Sequence, residues 1–299
     1  MANLRLDNPK SGGFQNACYA NAVTQVLTSV QVIIDHYRLR ENKRISKQNP
    51  VSVEFLKLLS HQGQIISTGQ LRKLVGITSK KGYFFDGTQQ DAAEFLRELI
   101  TSLLQESSSE NQVLLVSSFQ GKLTYQRGFL ETLNGSCKSC GSFVHPQDEM
   151  FYILALPSRS SSSPSIQSLI NNNFEEIEMM CPNSTCVEKV YKKAGQTKVI
   201  VELPTLLFIS IAKNFQLMVN GYTLEDSIDL HGMTYQLIGL VDHLGNTPKS
   251  GHYIAWKKVN FKWYKCDDNI IHEVSENVIP SSNNYLFVYI QKQLHETSR

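Results

Sequence analysis

"LIGLVDHLGNTPKSGHYIAWKKVNFKWYKCDDN", residues 237–269, reads as three strands separated by two turns. Apolar runs cover 234–244, 251–259 and 262–268, and the links between them carry glycine, proline or asparagine. Two neighbouring strands joined by a turn can set the side chains of His252 and Asp267 beside each other. An imidazole held by a carboxylate through one nitrogen offers the other to a nucleophile. Taken alone, His252 reads equally as a half-buried strand histidine, and Asp267 with Asp268 as a turn pair.

The same pattern of short strands extends in both directions. Further candidates are 113–119, 122–129, 151–157, 198–204, 205–213 and 284–292. Before residue 112 the period is helical. Ala22, Val23, Val26, Leu27, Val30 and Ile34 form one apolar face and predict a helix over 18–36. Residues 51–60 make a short amphipathic helix after Pro50. Residues 87–106 are the clearest helix, with Thr88 and Asp91 spaced as a capping box and a stripe of Ala92, Phe95, Leu96, Leu99 and Leu103. A helical first third followed by a β-rich remainder predicts an α+β protein. The serine-rich segment 157–168 reads as a loop without packing of its own, and no internal repeat is present.

Composition narrows the function classes. The chain has 299 residues, 41% hydrophobic and 19% charged, with a formal charge of +2. Such a balance implies no nucleic-acid partner, and the basic stretch 38–47 reads as a solvated surface segment. The N-terminus lacks the apolar core of a signal peptide, and no apolar run approaches a membrane span. The expectation is an intracellular monomer, cytoplasmic or nuclear, without membrane contact.

Six cysteines carry the remaining chemistry. Cys18 lies where a glycine-rich turn, Gly12–Gly13, gives way to a helix. The N–H groups and partial positive charge there favour a thiolate. A small buried residue is the competing reading. Cys137 and Cys140 are separated by two residues, Cys181 and Cys186 by four. In a reducing compartment, two such knuckles suit tetrahedral zinc better than disulfides.

Three pieces, in this order, resemble the ubiquitin-specific protease family of cysteine deubiquitinases. "GFQNACYANAVTQVL" (13–27) is similar to its cysteine box, with Cys18, Tyr19 and Asn21. "GTQQDAAEFLREL" (87–99) is similar to its glutamine–glutamine–aspartate helix, and residues 237–269 to its histidine box. The strand pair "KVIVELPTLLFISIAKNF" (198–215) resembles the one following the second zinc knuckle. The resemblance covers roughly residues 10 to 292.

It implies a papain-like fold over the whole chain, 1–299, with a helical thumb near 10–110, zinc-tipped fingers near 120–215 and a palm near 200–292. It implies hydrolysis after the C-terminal glycine of ubiquitin. Cys18 would be the nucleophile, His252 the base, Asp267 the orienting carboxylate and Asp268 an auxiliary polar group. Gln90, Asp91 and Glu94 would receive the basic tail of ubiquitin, and Gly251 and Tyr253 would shape the channel for its glycine–glycine end. Cys137, Cys140, Cys181 and Cys186 would hold zinc. Two other readings are a weak or inactive ubiquitin-binding scaffold and a protease for a ubiquitin-like modifier.

One departure stands out. The family's oxyanion-binding asparagine precedes the cysteine by five residues, where this chain has Gly13. A gapped alignment with a three-residue deletion places Asn16 there instead. The expectation is that Gln15 or Asn16 substitutes, together with backbone N–H groups at Cys18. Cys266 stands where the family commonly has phenylalanine and reads as a small core residue.

Overall fold

The computed structural model describes residues 4–10, 14–41, 49–61, 63–107, 115–157, 164–212, 223–247, 250–279 and 284–292. Gly12, Gly13, half of the serine-rich segment and most of the basic one lie outside these residues.

The helical part contains α1 (Cys18–Leu27), α2 (Gln31–Glu41), α3 (Pro50–Ser60), α4 (Gly69–Thr78), α5 (Ala92–Gln105) and a short α6 (115–119). A small parallel pair, β1 (Arg5–Asp7) and β2 (Ile65–Ser67), flanks it. The expected helix over 18–36 is two helices. Thr28 and Ser29 turn their hydroxyls back onto the carbonyls of Thr24 and Val26, which competes with the helical ladder and ends α1. The expected cap of α5 is also shifted. Thr88 is tied to Asp86, whereas Asp91 is the N-cap and accepts the Glu94 N–H at 2.7 Å. The sequence box is therefore Asp91–Glu94, and the stripe from Ala92 to Leu103 is buried as expected. Residues 115–119 form a helical turn rather than the expected strand. Leu115 and Phe119 are both buried while Ser117 is exposed, which fits a spacing of four and not of two.

The β part has two sheets. The smaller consists of β3 (Gly121–Phe129), β4 (Gln147–Phe151), β6 (Glu175–Met179) and β7 (Lys192–Glu202), antiparallel in the order β4-β3-β7-β6. The larger contains β5 (Ile153–Pro157), β8 (Leu206–Ala212), β9 (Ser227–Leu230), β10 (Met233–Thr247), β11 (Ser250–Val259), β12 (Lys262–Asp267), β13 (Ile270–Val274) and β14 (Asn284–Gln291). Its order is β13-β12-β11-β10-β14-β8-β5, with β9 paired to β10 and only β5 parallel to its neighbour. A last helix, α7 (Ile166–Asn171), starts inside the segment read as a loop, capped by the Ser165 hydroxyl.

Alternation explains why the strands of the large sheet read as continuous apolar runs: both faces are covered. Leu206, Phe208, Tyr253, Ala255, Leu286 and Val288 face the helices, while Leu207, Ile209, Ile254, Trp256, Phe287 and Tyr289 face the side covered by α7. Helix α1 is buried along all ten residues, between α5 and the sheet. It approaches β10 at Gly239, where a Cβ would lie 2.7 Å from a Val26 methyl carbon.

Arg72 on α4 is fully buried and braces the approach to α1. Its Nε donates to the Phe84 carbonyl (2.8 Å) and the Tyr19 hydroxyl (2.9 Å), and its terminal nitrogens donate to the carbonyls of Phe14 (2.8 Å) and Gln15 (3.3 Å). The guanidinium lies 5.1 Å from the Tyr19 ring centroid. Replacing Arg72 by alanine is expected to destabilise the fold by about 3 kcal/mol or more, since buried carbonyls lose their donor and a cavity opens. A lowered urea midpoint at unchanged slope would show it; an unchanged midpoint would contradict it.

Candidate active site

Cys18 is the first residue of α1 and only 3% exposed. Ala17 at the N-cap offers no side-chain acceptor, and among the described residues only its own N–H is met by a side chain, Asn8 Oδ1, which leaves the N–H groups that follow it free of side-chain caps. Their partial positive charge faces the thiol.

His252 comes from β11 and Asp267 from the end of β12, and the strands are antiparallel neighbours. The His252 Nε2 lies 2.6 Å from an Asp267 oxygen. That leaves Nδ1 on the side of the Cys18 thiol, whose proximity is the largest influence on the imidazole's charge. Cys18 first, and then Asp267, push the imidazole up to about 9 from its ordinary 6.5, against the desolvation that favours the neutral ring. The folded-state value lies above the unfolded one. The stability contributed by charged His252 is therefore complete below about 6.5 and lost as pH rises through about 9.

Asp268 occupies the turn after β12 with a positive φ of 52°. Its two carboxylate oxygens accept from Asn21 Nδ2 and Asn8 Nδ2, both at 2.8 Å. Asn21 sits on α1, and its own oxygen accepts the Thr68 hydroxyl at 2.7 Å. Ligand atoms of His252, Asp267 and Asp268 all lie within 4.8 Å of one another.

The residues that the resemblance assigns to substrate are distributed unevenly. Gly251 is exposed beside His252, and Tyr253 is buried with its ring 4.5 Å from that of His243. Asp91 caps α5 and also accepts the Tyr285 hydroxyl. Glu94 accepts Lys81 Nζ and the Tyr83 hydroxyl, each at 2.7 Å. Burial opposes the Glu94 charge, but these two donors outweigh it and hold the carboxyl below its usual range. The Gln90 amide turns back into its own loop, onto the Tyr83 carbonyl and the Thr88 hydroxyl. Asn16, with a φ of 54°, spends its amide on the Gly87 carbonyl at 2.9 Å.

Sequence reading passed over the neighbouring glutamine. Gln89 Nε2 donates to the Gly251 carbonyl at 2.6 Å and reaches Cys18 Sγ at 3.8 Å, while its Oε1 accepts the Gly251 N–H at 2.8 Å. This reciprocal pair ties the segment before α5 to the residue before His252. The only sequence signal was the doubled glutamine at 89–90, and nothing in it tells which of the two turns inward.

A second cluster lies at the far end of the small sheet, where the β3–β4 and β6–β7 connections meet. Cys137 Sγ is 3.9 Å from Cys186 Sγ, and Cys140 Sγ is 3.6 Å from Cys181 Sγ. All four sulfurs lie within 4.8 Å of one another. Tetrahedral thiolate–zinc bonds of ~2.3 Å imply sulfur separations of ~3.8 Å, so the four residues fit one such ion. Gly141 turns the first knuckle with a φ of 72°, its N–H donating to the Cys137 carbonyl at 2.7 Å.

With this geometry established, comparison with known proteins identifies the class. Residues 12–289 match the family described as ubiquitin carboxyl-terminal hydrolase, and the chain belongs to that family. It is 25% identical to ubiquitin carboxyl-terminal hydrolase Usp2 of Drosophila melanogaster, across 92% of this chain and 34% of that protein. It is 26% identical to ubiquitin carboxyl-terminal hydrolase 15 of Arabidopsis thaliana, across 92% and 32%. The chain thus spans about a third of the length of these relatives. Among solved structures it resembles the SAGA DUB module of Ubp8, Sgf11, Sus1 and Sgf73 bound to monoubiquitin, with a TM-score of 0.72, 19% identity, and coverage of 98% of this chain and 70% of that one. The same module bound to ubiquitin aldehyde gives a TM-score of 0.71 at 18% identity, with the same coverage. The α+β, papain-like fold of a ubiquitin-specific protease expected from the sequence is the fold observed. No helix among the described residues is long and apolar enough to cross a membrane.

Removing the thiol should lower the His252 imidazole. In Cys18→Ser the His252 ring is expected to titrate well below about 9, toward 6.5, as followed by its imidazole proton resonances. Retention of the wild-type titration would show that the thiol is not what raises it.

Proposed function

We propose that this chain is a thiol-dependent deubiquitinase that hydrolyses the isopeptide or peptide bond after the C-terminal glycine of ubiquitin. The observation that carries the reading is the His252–Asp267 bond at 2.6 Å, with the Cys18 thiol at the start of α1 acting on the same imidazole. Family membership and the ubiquitin-bound state of the structural neighbours support it.

In this mechanism His252 Nδ1 takes the thiol proton and Cys18 Sγ adds to the glycine carbonyl carbon. The tetrahedral intermediate collapses as His252 returns the proton to the departing amine, leaving a thioester. Water then adds to the thioester with His252 again as base. The C–S bond breaks, and carboxylate and thiol are regenerated. Asp267 keeps the imidazole oriented, and Asp268 holds the loop beside it. Gln89 fixes Gly251 next to His252. Asp91 and Glu94 supply the negative charge that suits a basic peptide tail, and Gln90 shapes the loop ahead of them. Gly251 and Tyr253 narrow the approach to Cys18, which favours a tail ending in two glycines. Asn16 steadies the residues before the nucleophile through Gly87.

The helices before residue 110 serve as thumb, the small sheet as fingers and the large sheet as palm. Cys137, Cys140, Cys181 and Cys186 would hold a structural zinc ion, which when bound cross-links the two finger loops. One zinc per chain is expected by elemental analysis, with Cys140→Ser losing it and melting at lower temperature; a metal-free wild type of equal stability would refute the site.

Ubiquitin carrying an electrophile at its C-terminus is expected to form a covalent adduct with wild type and none with Cys18→Ala. The second reading, a scaffold that binds ubiquitin without cleaving it, is favoured by Gly13 in the oxyanion position of the cysteine box. Binding without an adduct, in a folded wild type, would establish it instead. Reaction with another glycine–glycine modifier but not with ubiquitin would reassign the substrate.

A further inference from the structure

We propose that Asn8, ten residues before the nucleophile, supplies the side-chain hydrogen-bond donor to the oxyanion formed at Cys18. The inference rests on the hydrolase reading above and concerns the charge that appears on the scissile carbonyl oxygen when Sγ adds. A donor is effective there only if it is held in place before the reaction, because a loose amide must reorganise as the charge forms.

Five side-chain amides surround the start of α1, and their commitments differ. Both N–H groups of Asn21 are spent, on Asp268 Oδ1 and the Asp7 carbonyl. Both N–H groups of Gln89 are spent, on the Gly251 carbonyl and Cys18 Sγ. Asn16 is anchored through a single bond that directs its nitrogen to Gly87. The Gln15 side chain has no hydrogen bond among the described residues that would fix it; only its backbone carbonyl is held, by Arg72.

Asn8 is different. Its Oδ1 accepts the Ala17 N–H at 2.8 Å, at the residue directly before Cys18. Its Nδ2 donates to Asp268 Oδ2 at 2.8 Å, on the carboxylate that lies within 4.8 Å of the His252 and Asp267 ligand atoms. A primary amide has two N–H donors. Among the described residues one has this acceptor and the other has none. Asn8 is thus fixed at both ends of its amide, between the nucleophile's helix and the triad's strand turn, with one donor in reserve.

The backbone around it is fixed as well. Asn8 directly follows β1, which pairs with β2, and the Leu6 N–H approaches the Asp268 carbonyl at 3.4 Å. The Asn8 bond to Asp268 has a second effect. A bare carboxylate would repel a developing oxyanion. Here each carboxylate oxygen of Asp268 already accepts an amide N–H, from Asn8 and from Asn21, which draws its charge away from the reacting centre.

The test compares wild type, Asn8→Ala, Asn8→Asp and the double variant Gln15→Ala/Asn16→Ala. Two reactions of Cys18 are followed in each. One is hydrolysis of a fluorogenic amide of ubiquitin. The other is alkylation by iodoacetamide, which displaces iodide from carbon and forms no oxyanion. Asn8→Asp keeps the size of the side chain, donates nothing and adds a repelling carboxylate, so if the alanine variant fails to fold, unchanged hydrolysis in this one still overturns the assignment. The expected result is a fall in kcat of about 10²–10³ in both Asn8 variants, with KM and alkylation rate unchanged, whereas any loss in the double variant is shared by alkylation, since Asn16 only steadies the residues before the thiol. Unchanged hydrolysis in the Asn8 variants would overturn the assignment. So would a parallel loss of alkylation, since Asn8 would then only position the thiol. A wild type that is folded and alkylated but hydrolyses nothing would remove the hydrolase reading, and this inference with it.

Discussion

Cys18 and His252 belong to different layers, and the packing of α1 onto the large sheet is what brings them together. Cys18 begins a helix whose ten residues are all buried, and His252 lies on the strand beneath it. A helix on the protein surface could slide or tilt with little penalty. One buried on every side has no such freedom, because each displacement opens a cavity or a clash in a close-packed interior. Gly239 sets the depth of the contact, since any side chain there would meet Val26.

Polar contacts then fix the register that apolar packing leaves soft. Asn21 joins α1 to Asp268, Asn8 joins Ala17 to the same carboxylate, and Gln89 joins the start of α5 to Gly251. Arg72 holds the carbonyls of Phe14 and Gln15 from behind. All but the Gln89–Gly251 pair, which lies at the surface, are directional bonds to partly or fully buried groups, where an unmet donor or acceptor is costly. Together they frame Cys18 from the helical side and His252 with Asp267 from the sheet side. The raised imidazole is the electrostatic outcome, with thiol and carboxylate both favouring its charged form.

The cysteine cluster obeys the same logic at the other end of the molecule. The small sheet is two hairpins, β3–β4 and β6–β7, joined through β3 and β7. Antiparallel pairing in that order brings both hairpin connections to one end, so the two cysteine pairs meet without a long-range search. The cluster has a small apolar patch of its own, Phe129 and Ala194 with Val144, Ile177 and Met179 packed against it.

Much of this was legible in the residue string. A period near four before residue 112 and short apolar runs after it determined the α+β class, since periodicity records which faces are buried. Cys18, His252, Asp267 and the paired cysteines stood out because their chemistry requires particular residue types near turns and helix starts. The exact helix limits were less legible, because Thr28, Ser29 and Asp91 end or begin helices through bonds that only the folded chain makes. Helix α4 and the strands β1, β2, β4, β6, β9 and β13 were missed, being short or interrupted by polar residues. Asn8, Gln89 and Arg72 left no pattern at all. Their partners lie 260, 162 and 58 residues away, and a single amide or guanidinium bond across such a distance has neither period nor spacing. Local sequence determined which elements form and which atoms can react; only the tertiary structure decided which polar groups hold them together, because those bonds join segments that become neighbours only after the layers have packed.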